Sequence, residues 1–121
     1  MILKYLIHGT KFTIPRGVEV IGSWAFYDCI DLEEIIIPNS VMTICESAFR
    51  RCISLKNITI PDSVDYIGED IFKDCESLEN IVVYSERVKK LICEQNKEVQ
   101  DKIIVKDIDN DKNFTQTSFF G

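Results

Sequence analysis

The stretch IPNSVMTICESAFRRCISLKNITIP, from Ile37 to Pro61, decides the architecture. It opens and closes on the same Ile-Pro dipeptide, and the second copy lies 23 residues after the first. The same step carries outward in both directions. Pro15, Pro38 and Pro61 share it, as do Val18, Val41 and Val64, then Ile21, Ile44 and Ile67. Phe26, Phe49 and Phe72 form another column, followed by Cys29, Cys52 and Cys75, then Leu32, Leu55 and Leu78. Phe12, Ile35, Ile58 and Ile81 continue the set, with Ile14, Ile37, Ile60 and Val83 beside them. A fixed period of this length marks a solenoid, in which each unit buries its apolar face only against its neighbours.

Spacing within the unit predicts its path. Ile35 and Ile37 alternate with Glu34 and Ile36, so a strand turns the first pair inward and the second outward. Pro38 cannot donate to a ladder and ends that strand. Asn39-Ser40 and Asp62-Ser63 are turn residues. A short extended piece follows at Val41–Ile44. The four-residue steps Ile44, Ala48, Cys52 then predict one face of a short helix. The expected fold is an α/β repeat. It is a short right-handed solenoid with a narrow parallel sheet on one side and short helical segments on the other.

The pattern Ile-Pro-x-Ser-Val-x-x-Ile-x-x-x-Ala-Phe-x-x-Cys-x-x-Leu-x-x-Ile-x-Ile-Pro resembles the leucine-rich repeat of the BspA-like (Treponema pallidum-type) family. The resemblance covers residues 12–83 and implies a curved solenoid that acts as a binding scaffold. Many members are surface or secreted proteins of bacteria and some protozoa, linked to adhesion and protein binding. What is bound does not follow from the resemblance.

The two ends depart from the pattern as terminal repeats do. Residues 1–11 read as a degenerate N-terminal repeat, because Leu3 and Leu6 fall one period before Phe26 and Cys29. The repeats occupy 12–84. Ser85 with Val88, Leu91 and Ile92 predicts a capped amphipathic helix over 85–97, and Lys102–Lys106 a short strand. Together they read as a C-terminal helix-strand cap over 85–106. Residues 107–121 read as a flexible tail.

The 121-residue chain carries 14 basic and 20 acidic side chains, a net charge of −6. Residues 9–84 hold 6 basic and 13 acidic groups, so the acidity belongs to the coils. Coils of that charge disfavour nucleic acid and anionic membrane surfaces and favour neutral or cationic partners. No apolar run approaches the ~20 residues of a membrane span. Five cysteines, an odd number, lack any Cys-x-x-Cys pair, and His8 is the only histidine. Zinc spacing is therefore absent, no cofactor is implied, and the column of three reads as buried packing. At the ~4.8 Å between stacked strands, parallel thiols also suit a disulfide poorly.

Two surfaces are candidates for binding. The outward strand positions form one stripe of Thr13, Ile36, Thr59 and Val82, and a second of Lys11, Glu34, Asn57 and Asn80. A rigid grid of this kind suits recognition, although Thr, Ile and Val are also good strand residues in their own right. Trp24 stands in a column otherwise held by Ser47 and Asp70, and Tyr27 in that of Arg50 and Lys73. A helical turn places the two aromatics side by side, either as an exposed binding point or against Leu3, Tyr5 and Ile7.

Three further features carry weaker signals. Asp107, Asp109 and Asp111 have the spacing that opens a calcium loop, but Lys112 stands where the loop needs Gly and Ser118 where it needs Glu. Asn57-Ile-Thr59 and Asn113-Phe-Thr115 are glycosylation-type triplets. Phe119-Phe120 read either as a means of tail-mediated self-association or as inert aromatics at the end of the tail.

The reading is a non-catalytic protein-interaction scaffold with an unidentified protein partner. A self-assembling structural protein, at its simplest a weak homo-oligomer, is the alternative, and an enzyme is the least favoured class. No titratable groups converge in the sequence as catalysis requires. The start Met-Ile-Leu-Lys-Tyr-Leu-Ile-His lacks the parts of a signal peptide. That favours the cytoplasm by default and stands against the surface habit of the family it resembles.

Overall fold

The structure is a computed structural model, and it describes residues 2–3 and 10–106. Among the described residues, nine short strands and one helix follow in chain order: β1 (Ile2–Leu3), β2 (Lys11–Thr13), β3 (Val20–Ile21), β4 (Glu34–Ile36), β5 (Thr43–Ile44), β6 (Asn57–Thr59), β7 (Tyr66–Ile67), β8 (Asn80–Val83), α1 (Glu86–Gln95) and β9 (Ile103–Val105). A 3-10 segment, Lys97–Lys102, links α1 to β9. The chain winds as a solenoid with two parallel sheets. One runs β2-β4-β6-β8-β9 and the other β1-β3-β5-β7. Register between complete coils follows the period, with Phe12 beside Ile35, Ile35 beside Ile58, and Ile58 beside Ile81.

The periodic apolar columns fill the interior. Val18, Ile21, Phe26, Leu32, Val41, Ile44, Phe49, Cys52, Leu55, Ile60, Val64 and Ile71 are wholly buried. The phenylalanines stack along the solenoid axis, Phe26 on Phe49 at 5.6 Å and Phe49 on Phe72 at 5.8 Å, with rings nearly parallel. Phe12 extends the row, tilted against Phe26 at 5.7 Å. Each ring fills the space between two neighbours, so no coil closes its core alone.

The side opposite the longer sheet differs from the sequence expectation. The spacing there suggested short helices, but the structure forms consecutive tight turns beside a second sheet of two-residue strands. Backbone geometry gives the reason. Trp24, Asp28, Ser47, Arg51, Asp70 and Asp74 all have φ between 54° and 63°, which interrupts a helix every four residues. Amide groups then alternate in direction. Ala25 and Tyr27 bond back within the turn, to Gly22 and Trp24, while Trp24, Phe26 and Asp28 donate to Glu46, Ala48 and Arg50 of the next coil. A helix spends its donors on itself, whereas these turns spend half of them holding coils together. A four-residue step therefore arose from four-residue turns.

The N-terminal register also differs. Leu3 pairs with Ile21, a spacing of 18, and does not occupy the Phe26 column. Only residues 4–10 separate β1 from β2, while 22–33 separate β3 from β4. The side chains of residues 1–9, including Leu3, Tyr5, Leu6, Ile7 and His8, lie outside the described residues, as do residues 107–121.

After the last coil, Ser85 caps α1 by accepting the Val88 N–H at 3.2 Å. The helix ends at Gln95, two residues short of the sequence expectation, because the chain tightens into the 3-10 segment. Val88, Ile92 and Val99 are buried in the core, and β9 adds to β8 in parallel.

Candidate binding surface

Strand alternation builds the first candidate surface. In β4 and β6 the middle residues Ile35 and Ile58 are buried, and their neighbours face out. Pairing then sets the outward residues in rows, Thr13 beside Ile36, and Thr59 beside Val82. Lys11, Thr13, Glu34, Ile36, Asn57 and Thr59 are exposed, while Asn80 and Val82 are half-buried. The structure thus brings all eight residues of the two stripes onto one face. An open groove of about 680 Å³ lies there, bordered by Lys11, Glu34, Ile36, Asn57, Thr59 and Val82. Thr13 borders a second hollow with Ile36 and Arg16.

Two features of this face were not legible in the period. Ile104 of β9 sits beside Val82 and is exposed, so the first stripe gains an apolar end. Its spacing is 22 residues, because the closing segment is built differently from a coil. In addition, the Asn80 amide donates to Asn57 Oδ1 at 2.8 Å. That bond orients two neighbouring side chains of the second stripe. Charges alternate along the groove rim, with Glu33 and Glu34 between Lys11 and Lys56.

Trp24 and Tyr27 lie on the turn side, away from that groove. Their rings meet edge to face at 5.0 Å. They do so through a tight turn, in which Tyr27 N–H donates to the Trp24 carbonyl at 3.1 Å, and not through a helix. Trp24 is 38% exposed and Tyr27 44%. The guanidinium of Arg50, one coil on, stacks over the Trp24 ring at 5.2 Å. Trp24 adopts φ 62°, where the matching residues of the next coils are Ser47 and Asp70. Beside this cluster, Arg51 donates to Asp28 at 2.8 Å, and that hydrogen bond holds its guanidinium pKa above the usual value.

None of the five cysteines is in a disulfide. Cys29, Cys52 and Cys75 are buried, and Cys45 and Cys93 half-buried. The thiols of the column do more than fill space. Cys52 donates to the Phe26 carbonyl at 3.1 Å and Cys75 to the Phe49 carbonyl at 3.0 Å, each linking to the coil before. Hydrogen bonding with the neighbouring thiols of Cys29 and Cys75, with burial added, holds Cys52 well above the ordinary thiol range. Among the described residues, no three His, Cys, Asp or Glu gather as metal ligands. Among them, too, no helix is long and apolar enough to cross a membrane. The Asp107, Asp109 and Asp111 series, Asn113 and Phe119-Phe120 lie outside the described residues.

Comparison with known proteins agrees with this geometry. The family model described as BspA type leucine rich repeat region (6 copies) matches residues 4–117. The fold is similar to the crystal structure of a leucine-rich repeat protein from Eubacterium ventriosum, with a TM-score of 0.62 and 32% identity. That match covers 65% of this chain and 21% of the other, so this chain spans about a fifth of that protein. No functionally curated protein matches the chain. With a family match over nearly its full length and coils that repeat the motif in register, the chain belongs to the BspA-type leucine-rich repeat family.

Proposed function

We propose that this repeat protein is a non-catalytic scaffold for a protein partner, held on the outward face of the longer sheet. Leucine-rich repeats generally mediate protein–protein contacts, and the proposed partner here is neither nucleic acid nor a membrane surface. The observation that carries the reading is the row Thr13, Ile36, Thr59, Val82 and Ile104, presented on hydrogen-bonded strands beside a polar second row. Side chains on such a frame lose little further freedom when a partner docks. Trp24 and Tyr27 form a second, separate contact point, rich in the residue types that dominate binding energy. The right-handed winding belongs to the same proposal, as does the division into an N-terminal repeat, coils over 12–84, a closing segment over 85–106 and a tail.

The test is a comparison of faces. The intact chain, an Ile36→Lys/Thr59→Lys variant and a Trp24→Ala variant are each used to capture partners from the cells that make the protein. Loss of a captured partner with the sheet variant alone supports the reading. Retention of every partner by the sheet variant overturns it.

A further inference from the structure

The outward rows of the longer sheet match themselves when their order is reversed. Along the rim, Glu33, Lys56 and Glu79 follow at the 23-residue step. Lys56 N–H donates to the Glu33 carbonyl and Glu79 N–H to the Lys56 carbonyl, so the three stand one coil apart. All three are exposed, and among the described residues none of them enters an ion pair within the chain. In the polar row, Asn80 spends an amide hydrogen on Asn57 Oδ1 at 2.8 Å. The Asn57 amide hydrogens and the Asn80 oxygen are left to bond elsewhere. The apolar row runs Ile36, Thr59, Val82, Ile104 on successive strands, with an exposed isoleucine at each end.

A two-fold axis parallel to the strands, placed between β6 and β8, lays this face on that of a second copy. Strand order is then reversed and each row lies on itself. Ile36 meets Ile104 of the second copy, and Thr59 meets Val82 of the second copy. Asn57 meets Asn80 of the second copy, so the spare amide hydrogens of one face the spare oxygen of the other. Lys56 meets Glu79 of the second copy, and symmetry makes that pair twice. Glu34 falls opposite Lys102 of the second copy, since Ile81 pairs with Ile103 and sets Lys102 beside Asn80. Glu33 falls at Asp101 in the 3-10 segment and adds no attraction. We propose that a second copy of this chain occupies the sheet face, in a weak isologous dimer about that axis. The proposal rests on the reading of this face as a protein-binding surface. Charge selects the occupant. Lys11 and Lys56 balance Glu33 and Glu34 at the groove, so it exerts no net pull on a strongly charged partner. Alternating signs attract a surface that carries the reverse order, and a symmetric copy carries it. With strands about 4.8 Å apart, the overlapping strip is roughly 20 Å by 10 Å. That is far below the ~800 Å² per partner of a stable interface, so the dimer forms at high concentration only.

The test is sedimentation equilibrium of the full chain at physiological ionic strength. The parent's mass should rise with concentration and level at twice the monomer. Lys56→Glu and Glu79→Lys each place like charges at two symmetric points, and each should weaken association at least tenfold. The variant carrying both exchanges should associate as the parent does. An equimolar mixture of the two single variants should also associate, because Glu at 56 in one copy then meets Lys at 79 in the other. Mixing cannot rescue a variant that has merely lost its fold. A parent that stays monomeric up to about 1 mM overturns the proposal. So do single variants that associate like the parent, and a mixture as weak as either variant alone. A monomeric parent leaves the capture result of the Ile36→Lys/Thr59→Lys variant standing, so failure of the dimer and failure of the binding face are separate outcomes.

Discussion

Asn96 Oδ1 accepts the Ile71 N–H at 2.9 Å, inside a site from which water is excluded. The same amide donates to the Gly68 and Ile92 carbonyls, so every polar atom of this wholly buried side chain is partnered. Burial of an amide costs free energy that only complete hydrogen bonding offsets. Replacing Asn96 by Leu, which is similar in size, leaves Ile71 N–H and Gly68 C=O unpaired. We expect a loss of about 2–4 kcal/mol in urea unfolding with an unchanged m-value. A loss below about 0.5 kcal/mol would show that the turn closes by itself.

The phenylalanine row couples adjacent coils through one side chain apiece. Phe49 touches rings on both sides and is wholly buried. Phe49→Ala should cost about 3–5 kcal/mol, and Phe49→Leu distinctly less, since Leu leaves a smaller cavity. Equal costs for the two variants in thermal melts would remove stacking and cavity size from the account.

Gly68 is required by the approach of the preceding coil. A Cβ there would stand 2.6 Å from the Glu46 backbone nitrogen and 2.9 Å from its Cα. Backbone cannot yield as a side chain does, so Gly68→Ala should destabilise by about 1–3 kcal/mol, despite the smaller entropy of the unfolded alanine chain. A stabilised alanine variant in chemical denaturation contradicts the close approach.

Thiol labelling under native conditions separates the five cysteines. Cys45 and Cys93, half-buried, should react first. Cys52 should be the slowest, since its neighbours and its burial hold the proton on sulfur and no reagent reaches it. Mass spectrometry over time should show two additions first, then slower labelling of Cys29 and Cys75, with Cys52 last. Early modification at Cys52 rules out a closed core.

Trp24 spends conformational energy on a left-handed backbone, a cost of about 1–2 kcal/mol for a bulky residue. Its contacts with Tyr27 and Arg50 return a similar amount. Trp24→Asn, which suits that conformation, should change stability by less than about 1 kcal/mol while weakening any partner that uses this point. A loss above about 2 kcal/mol in a thermal melt shows the ring to be part of the core instead.

The sequence alone determined the solenoid, the inward columns and the outward stripes. A core side chain must recur wherever the coil returns, and strand alternation sorts the two faces, so Ile35 and Ile36 were separable by position. Tertiary structure decided what depends on contact across coils. The steps Ile44, Ala48, Cys52 suit a helix and two tight turns equally, and only the amide bonds from Phe26 to Ala48 and from Phe49 to Ile71 select the turns. Ile104 joined the outward row, and Asn96 the core, through a segment that has left the period. Neither has a column to announce it, because a closing segment needs only to match the shape and the unpaired polar groups of the last coil. Many sequences can do that, whereas a repeating interface is held to one.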